Sequence, residues 1–195
     1  MKKIITFSRE FGAGAGEIGV KVAKELGYEY YDKELIVKAA RTLNENPDSI
    51  IHLDEKVTMG FGFTQSLFDM YNKPSDERLY EAEKKIIKQI AEKGNCVIVG
   101  RNANSILSEY DDSLHIFIHA KNYWRINRLK NDKMPDVSEE KIAAHIKEVD
   151  KARRKFCAKY TNTEFGSADN YDISLCSSSL GINKCVEIIC NIARG

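Results

Sequence analysis

Phe11-Gly12-Ala13-Gly14-Ala15-Gly16-Glu17-Ile18-Gly19 alternates glycine with small residues. That spacing lets successive backbone N–H groups converge on one anion. The turn lies between an apolar run, Ile4-Ile5-Thr6-Phe7, and a helix-like stretch from about Gly16 to Leu26. An anion held there would also face the positive end of the helix dipole. The plain alternative is a tight, glycine-capped turn that binds nothing. Two anion chemistries match the letters. Gly14-Ala15-Gly16-Glu17-Ile18-Gly19 satisfies G-x-G-x-x-G, and Asp32 follows Gly14 by 18 positions, near the place of a ribose-binding acid. Against a dinucleotide turn, Ser8-Arg9-Glu10-Phe11-Gly12-Ala13 lengthens the loop ahead of that fingerprint. A longer loop wraps a terminal phosphate chain. Laid on G-x-x-x-x-G-K-[ST], the turn puts Arg9 at the first glycine, Gly14 at the second and Ala15 at the lysine. Gly16 or Glu17 then falls near the hydroxyl position. The lysine that would meet the β- and γ-phosphates is absent. Glu17 brings negative charge that a bridging Mg²⁺ would offset, unless the side chain turns away.

Arginines supply a second group of candidates. Gly100-Arg101 follows the apolar run Cys96-Val97-Ile98-Val99, and ligands of open α/β sheets bind outside the carboxyl edge of the strands. An arginine there can grip a phosphate through two parallel hydrogen bonds, or form a surface salt bridge. Arg125 and Arg128 share one helix face, and Arg153 and Arg154 follow Asp150 in a charged, helix-forming stretch. Positive charge gathered on a transferring group, with water excluded, is what phosphoryl transfer requires.

The 195 residues fit one domain. With 30 Lys+Arg against 29 Asp+Glu the net charge is +1, which argues against a general nucleic-acid binder. No apolar run approaches the roughly 20 residues of a membrane span, and the short N-terminal run does not read as a secretory signal. The expected location is cytoplasmic. Five cysteines, an odd number without a Cys-x-x-Cys pair, suit reduced thiols packed as small core residues. His115 and His119 bracket Ile116-Phe117-Ile118; in a strand they stand about 13 Å apart, too far for one metal.

The elements that must position these groups alternate. Strands are predicted at Ile4–Phe7, Tyr28–Tyr31, Cys96–Val99, Leu114–Ile118 and Tyr171–Leu175, each a short β-branched or aromatic run. Helices separate them: one stopped by Gly27, one carrying Leu35, Ile36 and Ala39 on a face, and a last one holding Val186, Ile188, Ile189 and Ile192. Continuous apolar strands joined through helices predict a three-layer α/β fold with a parallel sheet. Two stretches interrupt the alternation. Asn44–Pro74 reads as short helices around a glycine-aromatic loop, and Lys121–Tyr160 as two helices broken at Met134-Pro135.

The chain resembles the cytidylate-kinase-like family, a branch of the P-loop nucleoside monophosphate kinases. The matching words are Ile5 to Gly14, Glu17-Ile18-Gly19, Tyr30-Tyr31-Asp32-Lys33-Glu34-Leu35-Ile36 and Val97-Ile98-Val99-Gly100-Arg101. The Arg125/Arg128 helix, Asn170-Tyr171-Asp172 and Ser177 to Ile182 complete the set. The resemblance implies a P-loop NTPase-like fold with a five-stranded parallel core, an acceptor-side insertion at about 44–74 and a helical lid at about 121–160. It implies that Gly12, Ala13, Gly14, Ala15, Gly16 and Glu17, with Arg9, cradle the phosphates of ATP. Asp32 and Arg101 would serve the acceptor, with Glu17 and Asp32 offered to Mg²⁺. Arg125, Arg128, Arg153 and Arg154 would be catalytic lid arginines. The implied activity is phosphoryl transfer to a nucleoside monophosphate such as CMP or dCMP, or a similar small acceptor, with a nucleotide as the partner and no nucleic acid or membrane. The resemblance implies a lysine at the place of Ala15 in true cytidylate kinases, whereas the kinase-like branch commonly lacks it and often has Gly-Arg at the positions of Ala15-Gly16. This chain lacks that arginine as well, and Arg9 or a lid arginine is the candidate to supply the charge. The competing readings are a nucleotide-binding module that has lost transfer chemistry, and an NAD-binding Rossmann oxidoreductase.

Overall fold

The computed structural model describes residues 1–37 and 77–195. The Asn44–Pro74 stretch and Ala39 lie outside the described residues.

Among the described residues, five strands form one sheet: β1 (Ile4–Arg9), β2 (Glu29–Tyr31), β3 (Cys96–Val99), β4 (Ser113–His119) and β5 (Ile173–Cys176). All the pairings are parallel and the strand order is β2-β3-β1-β4-β5. This order decides against the Rossmann alternative, whose second strand lies beside the first. Here β3 occupies that place, with Phe7 paired to Val99. On its other edge β1 runs beside β4 from Ile4↔Ser113 to Arg9↔Ile118.

Side chains alternate across each strand, and both faces are buried. Ile5, Phe7, Val97, Val99, Ile116 and Ile118 pack on one side against α1 (Ala15–Leu26) and α7 (Ile182–Arg194). Ile4, Cys96 and Ile98 point the other way, onto α2 (Glu77–Lys93) and α3 (Ala103–Ile106). Helix α1 buries Ile18, Val22 and Ala23 along one stripe and stops at Gly27, which takes φ 71° and donates its N–H to the Ala23 carbonyl. That is the expected glycine stop. Residues 33–37 are also helical.

The charged stretch folds as a hairpin of α4 (Asn122–Asp132) and α5 (Glu139–Thr161), with Ser138 capping α5. Its small core of Leu129, Ile142, Ile146 and Val149 closes around Phe11 of the glycine turn. The fifth strand begins later than the sequence suggests. Residues Ala168–Asn170 form a 3₁₀ turn, and Asp172 spends its carboxylate on the His115 N–H at 2.7 Å. The last helix buries Cys185, Ile189, Cys190 and Ala193, whereas Ile192 is exposed. All five cysteines are free thiols, and Cys176 alone among them is not buried. His115 and His119 both lie in β4, and no metal-binding group of three or more side chains occurs among the described residues.

Candidate functional site

β1 delivers the chain into the glycine turn at the carboxyl edge of the sheet. Gly12 and Gly14 take φ of 78° and 82°, the left-handed region that glycine tolerates. A β-carbon on Gly14 would also stand 2.6 Å from Ile182 Cδ1, so that side-chain tip would have to shift. Gly14 is also the N-cap of α1 and offers no side-chain acceptor, so the first N–H groups of a twelve-residue helix remain available to a ligand.

The carbonyls of the turn are fastened from outside it. Ser177 at the start of α6 (Ser177–Leu180) donates its hydroxyl to Ala13 O at 2.7 Å. Arg125 on α4 donates to Phe11 O at 3.2 Å, and Arg153 on α5 to Arg9 O at 2.8 Å. Asp150 on α5 accepts the Phe11 N–H at 2.7 Å and Arg125 Nη1 at 2.6 Å. With these carbonyls occupied, and the N–H groups of Phe11 and Ala13 taken by Asp150 and Glu10 O, the donors left for an anion are those at the start of α1.

Beside the turn, where β1 and β3 end, lies a small cleft that is open to solvent. Four cationic side chains line it, Arg9, Lys33, Arg101 and Arg153, together with Phe156 and Phe165. Arg101 lies in a sharp turn in which Gly100, Arg101 and Asn102 all have positive φ. Its guanidinium is held from below by Glu83, a fully buried carboxylate on α2, which it meets through Nε at 2.8 Å and through Nη2. Phe156 stacks on it with 4.1 Å between the ring centroid and Cζ. The Arg9 guanidinium lies directly against Gly100, where a β-carbon would collide with it. Arg153 is buried, its Nε has no hydrogen-bond partner, and Asp150 lies 3.8 Å from its Nη1. Tyr30 is pushed up to about 12 by burial and by Asp32, with Arg9 opposing.

The arginines named from sequence thus separate. Arg101, Arg153 and Arg9 meet in the cleft. Arg125 is buried and held through its two terminal nitrogens by Phe11 O, Asp150 and Asn122. Arg128 stands at the mouth of the turn, paired to Glu17 at 2.9 Å and to Asp132 at 3.3 Å. Arg154 is exposed and is not among the cleft-lining residues. Asp32 caps the helix that follows it, its Oδ1 accepting from the N–H groups of Glu34 and Leu35 at 2.9 and 3.1 Å. Glu17 also takes Lys21 at 3.0 Å. Burial works against its charge, but the bond from Lys21 and the field of Arg128 hold its carboxyl below the usual value. An ionised carboxylate beside a phosphate site, completed by phosphate oxygens and waters, is an ordinary donor set for Mg²⁺, and Glu17 fits it.

The sequence reading did not single out Asp150, Glu83 or Lys33 as site residues, and Ser177 entered it only within the Ser177 to Ile182 word. For Glu83 a signal existed: a carboxylate inside the apolar stripe Tyr80, Ile86, Ile87 and Ile90 of α2 needs a buried cation. Asp150 lies one turn before Arg153 on the same face of α5, the spacing of a pair that acts together.

A parallel sheet ordered β2-β3-β1-β4-β5, with a glycine turn after its central strand, defines the fold of the P-loop kinases. Solved structures agree at the level of the fold. An uncharacterized protein from Eubacterium ventriosum matches with a TM-score of 0.75 at 22% identity over 98% of each chain. The shikimate kinase of Bacteroides thetaiotaomicron matches at 0.56 and 13% identity over 100% of each. A gluconokinase from Sinorhizobium meliloti matches at 0.57 and 10% identity, over 99% of this chain and 94% of that one. The family model for the cytidylate kinase-like family matches residues 4–179, and the chain belongs to that family. No curated protein sequence matches it significantly. No helix among the described residues is long and apolar enough to cross a membrane.

Proposed function

We propose that the protein is an ATP-dependent phosphotransferase that binds the donor phosphates in the 12–17 turn and a small anionic acceptor in the adjoining cleft. The carrying observation is the joint between the two. Arg153 lines the cleft while bonding the Arg9 carbonyl of the turn at 2.8 Å. In the transfer, an acceptor oxygen forms the new bond to the γ-phosphorus as the bond to the β,γ-bridging oxygen breaks and ADP leaves. The acceptor's proton passes to solvent. Arg101, braced by Glu83 and Phe156, holds the acceptor anion. A nucleoside monophosphate of the CMP or dCMP type supplies a phosphate for Arg101 and a ring for Phe156 or Phe165. Mg²⁺ would be held by Glu17 and would neutralise charge on the donor phosphates. A second reading, nucleotide binding without transfer, is favoured by Ala15, which leaves the turn without its lysine.

The test is Mg²⁺-dependent ADP release from ATP with each nucleoside monophosphate, and with shikimate and gluconate as acceptors of the solved neighbours' kind. ATP and NAD binding are measured beside it. Release stimulated by one acceptor is expected. ATP binding without stimulation by any acceptor leaves the non-catalytic reading standing, and tight binding of NAD alone overturns both.

A further inference from the structure

Gly16 and Gly19 complete the apparent dinucleotide fingerprint, but the strand order leaves no such fold to account for them. Both lie inside α1 and neither takes positive φ, where glycine is a weaker helix former than alanine. Space explains Gly19. A β-carbon there would stand 3.1 Å from Tyr30 Cε2 and 3.2 Å from Val99 Cγ2. At Gly16 the nearest neighbour of a β-carbon would be Tyr30 Oη, at 3.8 Å. Residues three apart share a helix face, so the Tyr30 ring of β2 lies along that face and its phenol oxygen ends beside Gly16. Gly16 is the second residue of α1, and its N–H has no partner within the helix. On the G-x-x-x-x-G-K-[ST] pattern the hydroxyl position falls at Gly16 or Glu17. Glycine has no hydroxyl to offer. Glu17 is engaged by Lys21 and by Arg128, which holds Asp132 as well.

We propose that the Tyr30 phenol supplies, from the adjoining strand, the hydroxyl that the turn lacks at Gly16, donating a hydrogen bond to a terminal phosphate of the bound triphosphate. The assignment deepens the triphosphate-binding reading above and rests on it. Three features suit Tyr30 to the role. Its ring packs on the sheet core beside Val97 and Val99, and a packed side chain on a strand holds its end group in place. Its hydroxyl makes no hydrogen bond to another described residue, so no internal bond has to break when a ligand arrives. Burial and the Asp32 charge push the phenol up to about 12, with Arg9 opposing, so near neutral pH it stays protonated and remains a donor. Tyr30 adds a hydrogen bond and no charge.

Calorimetric titration of the full chain with ATP and with AMP in EDTA, without divalent metal, isolates this contact from metal binding. Tyr30→Phe keeps the ring in its place against Gly19 and removes only the hydroxyl. A hydrogen bond of the usual strength to a charged group predicts that the variant binds ATP about 10-fold more weakly. AMP, lacking terminal phosphates, should bind nearly as before. A second variant puts the hydroxyl back where the pattern has it. Gly16→Ser is sterically admissible, since its β-carbon would be in ordinary contact at 3.8 Å, and in the Tyr30→Phe background it should return most of the lost ATP affinity. Unchanged ATP affinity in Tyr30→Phe overturns the assignment. So does an equal loss for ATP and AMP, which is what a displaced ring and a disturbed α1 would produce. A double variant that binds ATP no more tightly than Tyr30→Phe overturns the placement of the phenol at the Gly16 position. Failure of the unaltered protein to bind ATP is a different result, and removes the nucleotide reading together with the role of Tyr30.

Discussion

Asp150 is the residue on which the glycine turn depends most. Both carboxylate oxygens are occupied, one by the Phe11 N–H and one by Arg125, and the side chain is buried. Asp150→Ala would leave a buried guanidinium whose Nε already lacks a partner, together with an orphaned amide. Breaking a buried pair by removing one member costs about 3–5 kcal/mol, so urea unfolding should show a loss of that order. Lys84→Ala, which removes an exposed pair with Glu81, should stay within about 1 kcal/mol. A loss below about 1 kcal/mol for Asp150→Ala would mean that the turn is held by packing around Phe11 instead. At this scale the sequence was least legible. Asp150 and Phe11 are 139 positions apart and Ser177 and Ala13 are 164 apart, so nothing in a local pattern pairs them. Glycine at 12 and 14, by contrast, announces its own reason, because the backbone there needs positive φ.

Between elements, His115 joins β4 to β1 and lies beside the segment leading into β5. Its Nδ1 meets Thr6 Oγ1 at 2.7 Å and its Nε2 meets Ser113 Oγ at 2.9 Å. The Asp172 carboxylate takes its backbone N–H, and its carbonyl takes the Asp172 N–H at 2.8 Å. Burial pushes the imidazole below its ordinary value; the Asp172 charge opposes this and Lys2 adds to it. The folded state therefore prefers neutral His115, while the unfolded chain takes up a proton near pH 6.5. Stability from this group is complete above about pH 6.5 and declines as the pH falls below it towards the lower folded-state value. His115→Gln should flatten the loss of unfolding free energy between pH 7.5 and 5, although His145, shifted in the same direction by burial, leaves a residual slope. An unchanged slope would show that His115 does not contribute. The five strands and the end of α1 were legible, since short β-branched runs and the Gly27 stop describe strands and a helix end by local sterics; α2 went unnamed. The start of β5 was not. Tyr171 donates its N–H to Ala168 O to close the 3₁₀ turn, and Asp172 is engaged with His115, duties invisible in their hydrophobicity.

For the whole molecule, alternation of strands and helices predicts a parallel sheet but not the order of its strands; only the family resemblance implied the architecture, and the order found excludes the Rossmann alternative. That order brings the ends of β1 and β3 side by side, and with them Arg9, Gly100 and Arg101. A chain of net charge +1 consequently concentrates four cations in one cleft, offset from beneath by Glu83 and Asp150. Ligand linkage turns this geometry into a thermal-shift experiment. A ligand at a hundred times its Kd stabilises the folded state by about 2.7 kcal/mol, which for a domain of this size raises Tm by roughly 5–10 °C. ATP and the preferred monophosphate should each produce such a shift, and KCl at equal ionic strength should not. Arg101→Ala lowers the baseline by orphaning the buried Glu83 carboxylate, so the shift above each variant's own baseline is what counts. The monophosphate shift should vanish in that variant while the ATP shift survives. Loss of both shifts together would mean that the turn and the cleft form one site rather than two adjoining ones. Retention of both would place the acceptor phosphate away from Arg101.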